Sequence, residues 1–171
     1  MRLRRILTFR EQKAQVGVEY IIIVGLLLSM ILIVYPYALK QNELNKALAA
    51  ARDGAVYGAS LRGMGFRGEG VKEAPEGIIK IVRIEVVNLN TINPTTGKPE
   101  YRFDIYISAP DYIKNDENFR DTVGRTITTQ ARRYICRAFN GYWPTGADVA
   151  ITETTGSYYT FRVSARKELW V

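Results

Sequence analysis

The chain has 171 residues, 47% of them hydrophobic and 24% charged, a composition typical of one ordinary folded domain or of a smaller domain with an added segment. It has one cysteine, Cys136, and no histidine, which excludes an intramolecular disulfide, a cysteine-based metal cage and Ser-His or Cys-His catalytic pairs. The net charge is +7, and residues 1–14 alone carry +4. That distribution is typical of a membrane-topology or processing signal rather than of a ligand-binding surface.

An apolar helix is predicted directly after this basic segment. Residues 16–39 contain a single charged residue, Glu19, and tyrosines stand near both ends of the stretch. At ~1.5 Å per residue this stretch spans about 36 Å as a helix, enough to cross a hydrocarbon core of ~30 Å. The alternative, a buried core helix, requires a large protein around it, so we favour a transmembrane helix.

The helical pattern continues beyond the apolar run. Pro36 removes a helix hydrogen bond, and we expect a kink or a locally melted turn there. After it, Leu44, Ala47, Leu48, Ala51, Ala55 and Gly58 recur at spacings of three and four. This stripe of small residues is typical of close helix–helix approach, as is Gly54-x-x-x-Gly58. The sequence therefore predicts one long helix over residues 16–61, bent at Pro36.

A glycine-rich segment, LRGMGFRGEG at 61–70, predicts the end of that helix and a flexible connection. It contains GMGFRG, a literal match to the dinucleotide-binding pattern G-x-G-x-x-G. That pattern requires a strand before it and a helix after it, and here the predicted order is reversed. Nucleotide binding is therefore disfavoured, and no cofactor is expected.

Residues 77–171 are predicted to form an α+β head of order β-β-α-β-β, with one antiparallel sheet and a helix across one face. The predicted strands are 77–89, 101–108, 147–153 and 157–165, the last two joined by a turn at 154–156. The helix is expected to start at a cap formed by Asn118 and to end at Asn140-Gly141. Its predicted apolar face consists of Phe119, Val123, Ile127, Ala131, Tyr134 and Ala138.

Other groups of residues in the head favour ordinary structural roles. An oxygen-rich cluster, Asp111, Asn115, Asp116, Glu117 and Asp121, does not have the spacing of a calcium loop, so a solvated loop with a helix cap is favoured and no metal site is expected. Arg120, Arg125, Arg132, Arg133 and Arg137 make the helix basic. A solvated face is favoured over nucleic-acid binding, because the basic patch is short and contains no known nucleic-acid-binding motif. Tyr142, Trp143, Tyr158, Tyr159 and Phe161 form a candidate adhesive surface, of which strand alternation should bury about half. No catalytic residues are expected.

The start of the chain carries a family resemblance. Its residues are Lys13, Ala14, Gln15, Gly17, Glu19 and Tyr20: a basic leader, a small residue, a glutamine, and a glutamate at the fifth place counted from that glutamine, followed by an apolar helix. This pattern resembles the class III signal peptide of archaeal type IV pilin-like proteins. It departs from the family where Gly17 replaces a frequent serine, and the chain has no N-x-S/T glycosylation sequon.

The resemblance implies a function and a domain plan. A prepilin peptidase would cut between Ala14 and Gln15, Glu19 would neutralise the new Gln15 amine of a neighbouring subunit, and Pro36 would lie where pilin helices often kink. Residues 1–14 would be the leader, 15–62 the membrane and filament helix, 63–76 a linker and 77–171 an extracellular head. The expected partners are other pilins, the peptidase and the membrane, with nucleic acid disfavoured. Two alternatives stay open: a non-polymerising single-pass membrane protein with an extracytoplasmic ligand-binding domain, and a membrane-tethered enzyme, which the residue inventory disfavours.

Overall fold

The computed structural model describes residues 2–65, 78–144, 153–164 and 170–171, with side chains from residue 17 onward. The described helices and strands are α1 (Arg2–Gly63), β1 (Lys80–Ile92), β2 (Pro99–Ser108), α2 (Asp111–Asn115), α3 (Glu117–Asn140), β3 (Glu153–Thr155) and β4 (Thr160–Ser164). The chain forms two compact units, Met1–Gln41 and Asn42–Val171. A long apolar N-terminal helix and a small sheet domain confirm the α+β class.

Helix α1 contains Pro36 without interruption, so the melted turn expected at that residue is not seen. The helix ends where the glycine-rich segment begins. Gly65 takes a left-handed φ of 69°, and its amide donates to the carbonyl of Arg62 at 3.0 Å, which is a usual way for a helix to stop. The remainder of the predicted linker, and with it most of the GMGFRG match, lies outside the described residues.

The sheet has the order β1-β2-β4-β3 and is mixed. Strand β2 pairs antiparallel with β1 but parallel with β4, and β3 pairs antiparallel with β4. The purely antiparallel sheet predicted from the sequence is therefore wrong. Strand β4 buries Thr160, Phe161 and Val163 and takes an interior position, whereas β3 has three residues and suits an edge. Alternation predicted which side chains are buried, but it carries no information on which strands are neighbours.

The turn between the last two strands lies later than predicted. Thr154 and Thr155 belong to β3 and pair with Phe161 and Thr160, so the turn expected at 154–156 is wrong. The chain instead reverses over residues 156–159, where the amide of Gly156 donates to the carbonyl of Tyr159 at 2.8 Å. Most of the predicted strand at 147–153 lies outside the described residues.

Helix α3 starts two residues earlier than predicted. Its cap is Asp116, whose carboxylate accepts from the amides of Asn118 at 2.8 Å and Phe119 at 3.1 Å, so the cap assigned to Asn118 is wrong. The carboxylate of Asp116 also complements the positive end of the helix dipole. The predicted end is confirmed, since Gly141 adopts a left-handed φ of 79° directly after Asn140.

The core lies among the sheet, α3 and the second part of α1. Phe103, Ile105 and Ile107 of β2 are fully buried, as the alternation predicted. Phe161 of β4 stacks on Phe103 with ring centroids 5.7 Å apart. On α3 the core-facing residues include Val123, Ile127 and Ala131 as predicted, but Ile135 takes the fully buried position expected for Tyr134. Short helix α2 was not predicted.

Candidate functional site

The predicted processing and assembly residues all lie on α1. Ala14 and Gln15 are within the helix, and their side chains lie outside the described residues. The Glu19 side chain is exposed. Glu19 follows Gln15 by four residues, so the two lie on the same helix face one turn apart. Pro36 lies inside the same helix.

The helix that follows Glu19 exposes an extensive apolar surface. Its most apolar window has a mean hydropathy of 2.5, and none of that window is buried by the residues that the structure describes. Ile21, Leu32 and Ile33, for example, are 70–76% exposed. Burying one such side chain is worth ~1.5–3 kcal/mol, so a surface of this size is stable only in lipid or against other apolar surfaces. By length and composition α1 can cross a membrane.

Burial along α1 changes beginning with Glu43. Ala47, Ala51, Ala55 and Ala59 are 0–3% exposed and belong to the core of the second unit. Gly54 and Gly58 complete this face against α3: a Cβ added at Gly54 would lie 2.6 Å from the carbonyl oxygen of Gln130. The small-residue stripe does support close helix–helix approach, but its partner is a helix of the same chain. It is therefore not left free for contacts between subunits.

Glu43 holds the β3–β4 turn against α1. Its carboxylate accepts hydrogen bonds from the backbone amides of Ser157, Tyr158 and Tyr159 at 2.9–3.1 Å. Gly156 lies against the same carboxylate, where an added Cβ would clash. Sequence reasoning missed this contact. An acid four residues before Ala47, on the same buried stripe, is the pattern that could have revealed it.

A second polar network closes the end of the sheet. The buried carboxylate of Glu100 accepts from Asn93 at 2.7 Å, Thr91 at 2.9 Å and Arg162 at 2.9 Å. Burial alone would raise the pKa of Glu100, but the hydrogen bonds from Asn93 and Thr91, together with the Arg162 charge, lower it below its ordinary value. Glu153 of β3 also pairs with Arg162. This network links the β1–β2 loop to the second hairpin.

The basic face of α3 borders a pocket of about 320 Å³ between that helix and the end of β4. Its walls include Arg120, Arg125 and Arg132, two carboxylates from Glu117 and Asp121, and the indole-bearing Trp170. Among the described residues, Arg132 makes one hydrogen bond, from Nη2 to the Val163 carbonyl at 3.2 Å, and its buried Nε has no partner. Burial lowers the pKa of Arg132. We expected all five arginines to form a solvated face, but three of them line this cavity.

The aromatic residues of the candidate adhesive surface include both buried and exposed side chains. Phe161 is in the core, and Tyr159 packs edge-on against Tyr101 at 4.8 Å. Tyr142 and Trp143 are 54% and 42% exposed, and Arg137 lies over the Trp143 ring at 4.4 Å. Tyr142 and Trp143 are thus the exposed members of the set, with a cation beside Trp143.

The remaining candidate clusters have structural partners. In the oxygen-rich cluster, Asp116 caps α3, Glu117 lies 3.8 Å from Arg120, and Asp121 lies 3.8 Å from Arg125. Cys136 is buried and accepts from Asn140 at 3.3 Å. Within the described part of the chain, no three cysteine or acidic side chains come together as a metal site would require.

Comparisons with protein-family models, with curated proteins and with solved structures gave no match to this chain.

Proposed function

We propose that this chain is a structural subunit, a pilin or minor pilin, of an archaeal type IV pilus-like surface filament that serves in adhesion or surface attachment. A prepilin peptidase cleaves the precursor between Ala14 and Gln15 on the cytoplasmic side of the membrane. The subunit waits in the membrane, with the 77–171 head outside the cell, and then assembles with other copies or other pilins through the apolar part of α1.

The observation that carries this proposal is the contrast within α1. From Glu43 onward one face of the helix is buried in the head, whereas the described side chains from Val18 to Tyr37 stay largely exposed. A helix of this kind needs lipid first, and the same surface is suited to packing against its equivalents in a filament. The resemblance of residues 13–20 to a class III signal peptide adds to this the expected removal of residues 1–14, which would free such a helix for assembly.

Glu19 has a physical role in this scheme. Cleavage before Gln15 would create an amine and leave the next three amides without helical partners, all at the positive end of the helix dipole. A carboxylate costs at least ~2.5–3.5 kcal/mol at the centre of a bilayer and less near its surface, so one subunit tolerates Glu19 at the interface. Packed among apolar helices, that carboxylate requires a cationic partner, which the Gln15 amine of a neighbour supplies.

Replacing Glu19 tests the proposal. Glu19→Leu and Glu19→Gln should leave the protein in the membrane but lower its incorporation into sheared extracellular filaments by tenfold or more. Asp53→Asn is the matched control, because Asp53 is an exposed acid on the same helix within the head region. Unchanged incorporation of both Glu19 variants would contradict the assigned role of this residue.

The pocket beside α3 favours one second candidate, a non-polymerising single-pass membrane protein whose head binds a ligand outside the cell. Both candidates place the protein in the membrane with the same orientation. They differ in whether the leader is removed and whether the chain leaves the membrane in filaments.

A further inference from the structure

We infer that the pocket between α3 and the end of β4 is a binding site for an acidic sugar, a pyranose that carries a carboxylate. The site lies within the head. It functions equally in a filament subunit and in a single-pass receptor, so it does not depend on assembly.

Within the described part of the chain, the cationic side of the pocket has hydrogen-bond donors that no residue uses. Of its three guanidinium groups, Arg120 donates to the carbonyl of Lys114 at 3.0 Å and Arg132 to that of Val163. Among the described residues, the carboxylates that face Arg120 and Arg125 are 3.8 Å away, beyond hydrogen-bond distance. Guanidinium groups present paired N–H donors that match a planar carboxylate, and such charge-assisted pairs are about twice as strong as neutral ones. The arginines therefore select an anionic group with this geometry.

The acidic side of the pocket narrows the ligand class. Glu117 and Asp121 have side chains 86% and 63% exposed, and as carboxylates they only accept hydrogen bonds. They would repel a polyanion such as nucleic acid, but they suit a ligand that brings hydroxyl donors together with a single negative charge. A sugar acid has both.

The rest of the lining agrees with this class. Trp170 contributes an indole, whose flat apolar face with a polar edge suits a ring that is apolar on one side and hydroxylated around its rim. Most of the lining side chains are polar or charged, which disfavours an apolar ligand. A volume of about 320 Å³ is at the lower end of the ~300–1,000 Å³ range of small-molecule sites, in keeping with one or two sugar units.

The test is ¹H–¹⁵N NMR titration of the full chain in detergent micelles with D-glucuronate, D-glucose and sodium sulfate. We expect glucuronate to bind at least tenfold more tightly than glucose or sulfate, with the largest shifts at the amides of Gly124 and Ser164, which line the pocket. Equal binding of glucose would show that the carboxylate is not recognised. Equal binding of sulfate would show a site for anions in general, and shifts located elsewhere, or no saturation with glucuronate, would exclude the site.

Two arginine variants of α3 sharpen the test. Arg125→Gln removes a pocket guanidinium whose side chain is 84% exposed, so the fold is not at risk, and glucuronate affinity should fall about tenfold. Arg137→Gln makes the same charge change on the same helix outside the pocket, and affinity should stay unchanged. Equal losses in both variants would mean that the helix attracts anions only through its overall charge, which would overturn the inference.

Discussion

The close approach of α1 to α3 at Gly54 predicts a large effect for one methyl group added there. A Cβ at this position would lie 2.6 Å from the Gln130 carbonyl oxygen and 2.7 Å from the Ala131 Cα, about 0.8 Å short of ordinary contact at 3.4 Å. These neighbours are backbone atoms, which cannot rotate away, so α1 and α3 must separate. Overpacking of this kind costs ~1–3 kcal/mol, and the better helix propensity of alanine returns up to ~1 kcal/mol.

The Gly54→Ala variant should therefore lose about 1–2 kcal/mol of unfolding free energy, the net of overpacking and propensity. For a domain of this size that loss lowers Tm by roughly 4–8 °C. The assay is thermal and urea unfolding of the full chain in detergent, followed by near-UV circular dichroism, which reports the packed aromatic side chains of the head. Urea midpoints should fall without a change in m value.

Two other glycines on α1 provide the controls. Gly58→Ala meets the Ile127 Cα at 2.9 Å, a milder clash, and should cost less than Gly54→Ala. Gly25→Ala meets nothing within 4 Å and should leave head stability unchanged. A Gly54→Ala protein as stable as the wild type, or a Gly25→Ala protein equally destabilised, would refute the close packing of α1 on α3.

Three further predictions concern buried groups of the head. The carboxylate of Glu43 accepts hydrogen bonds from backbone amides, and Glu43→Gln would place an N–H donor against those amides. The variant should lose ~1.5–3 kcal/mol of unfolding free energy, measured by urea unfolding. The control Glu85→Gln changes an exposed acid and should alter stability by less than ~0.5 kcal/mol. The pKa of Glu100 is lowered in the folded state and returns to its ordinary value on unfolding. Between these two pKa values the unfolded chain therefore binds more protons than the folded one, and stability falls as pH falls. The contribution of Glu100 is thus complete above the ordinary carboxyl pKa and is lost as pH falls through the lowered one; Glu100→Gln should flatten this acid limb of stability against pH, and an unchanged limb would contradict the network. Phe161→Ala, which removes a ring stacked between Phe103 and Phe139, should cost ~3–5 kcal/mol, and a loss below 1 kcal/mol would place that ring outside the core.

Local patterns in the sequence predicted much of the fold. The apolar run, the stripe from Leu44 to Gly58, the alternation in β2 and the Asn140-Gly141 helix end were each visible, because they follow from side-chain periodicity or from the backbone preference of glycine. The cap at Asp116 was assigned two residues late because Asn118 is also a good capping residue.

Long-range pairing was not predictable in the same way. Which strand lies beside β2 depends on burial of Phe161 and Val163, with Phe161 stacked on Phe139 of α3, and periodicity does not encode that choice. Similarly, the contact between Glu43 and the turn at 156–159 joins residues more than a hundred positions apart. From the sequence, the α3 arginines were predicted to form a solvated face. Only the fold shows that the end of β4 and Trp170 form a pocket with three of them.

The filament proposal is tested most directly by the mass of the N-terminal peptide, measured on protein from the membrane fraction and from sheared extracellular material. We predict a peptide that starts at Gln15 in both fractions, and its mass also shows whether that glutamine has lost ammonia by cyclising, which would remove the amine that Glu19 is proposed to neutralise. A peptide that starts at Met1, with no protein in the sheared material, would contradict the proposal and leave a membrane-anchored receptor in its place.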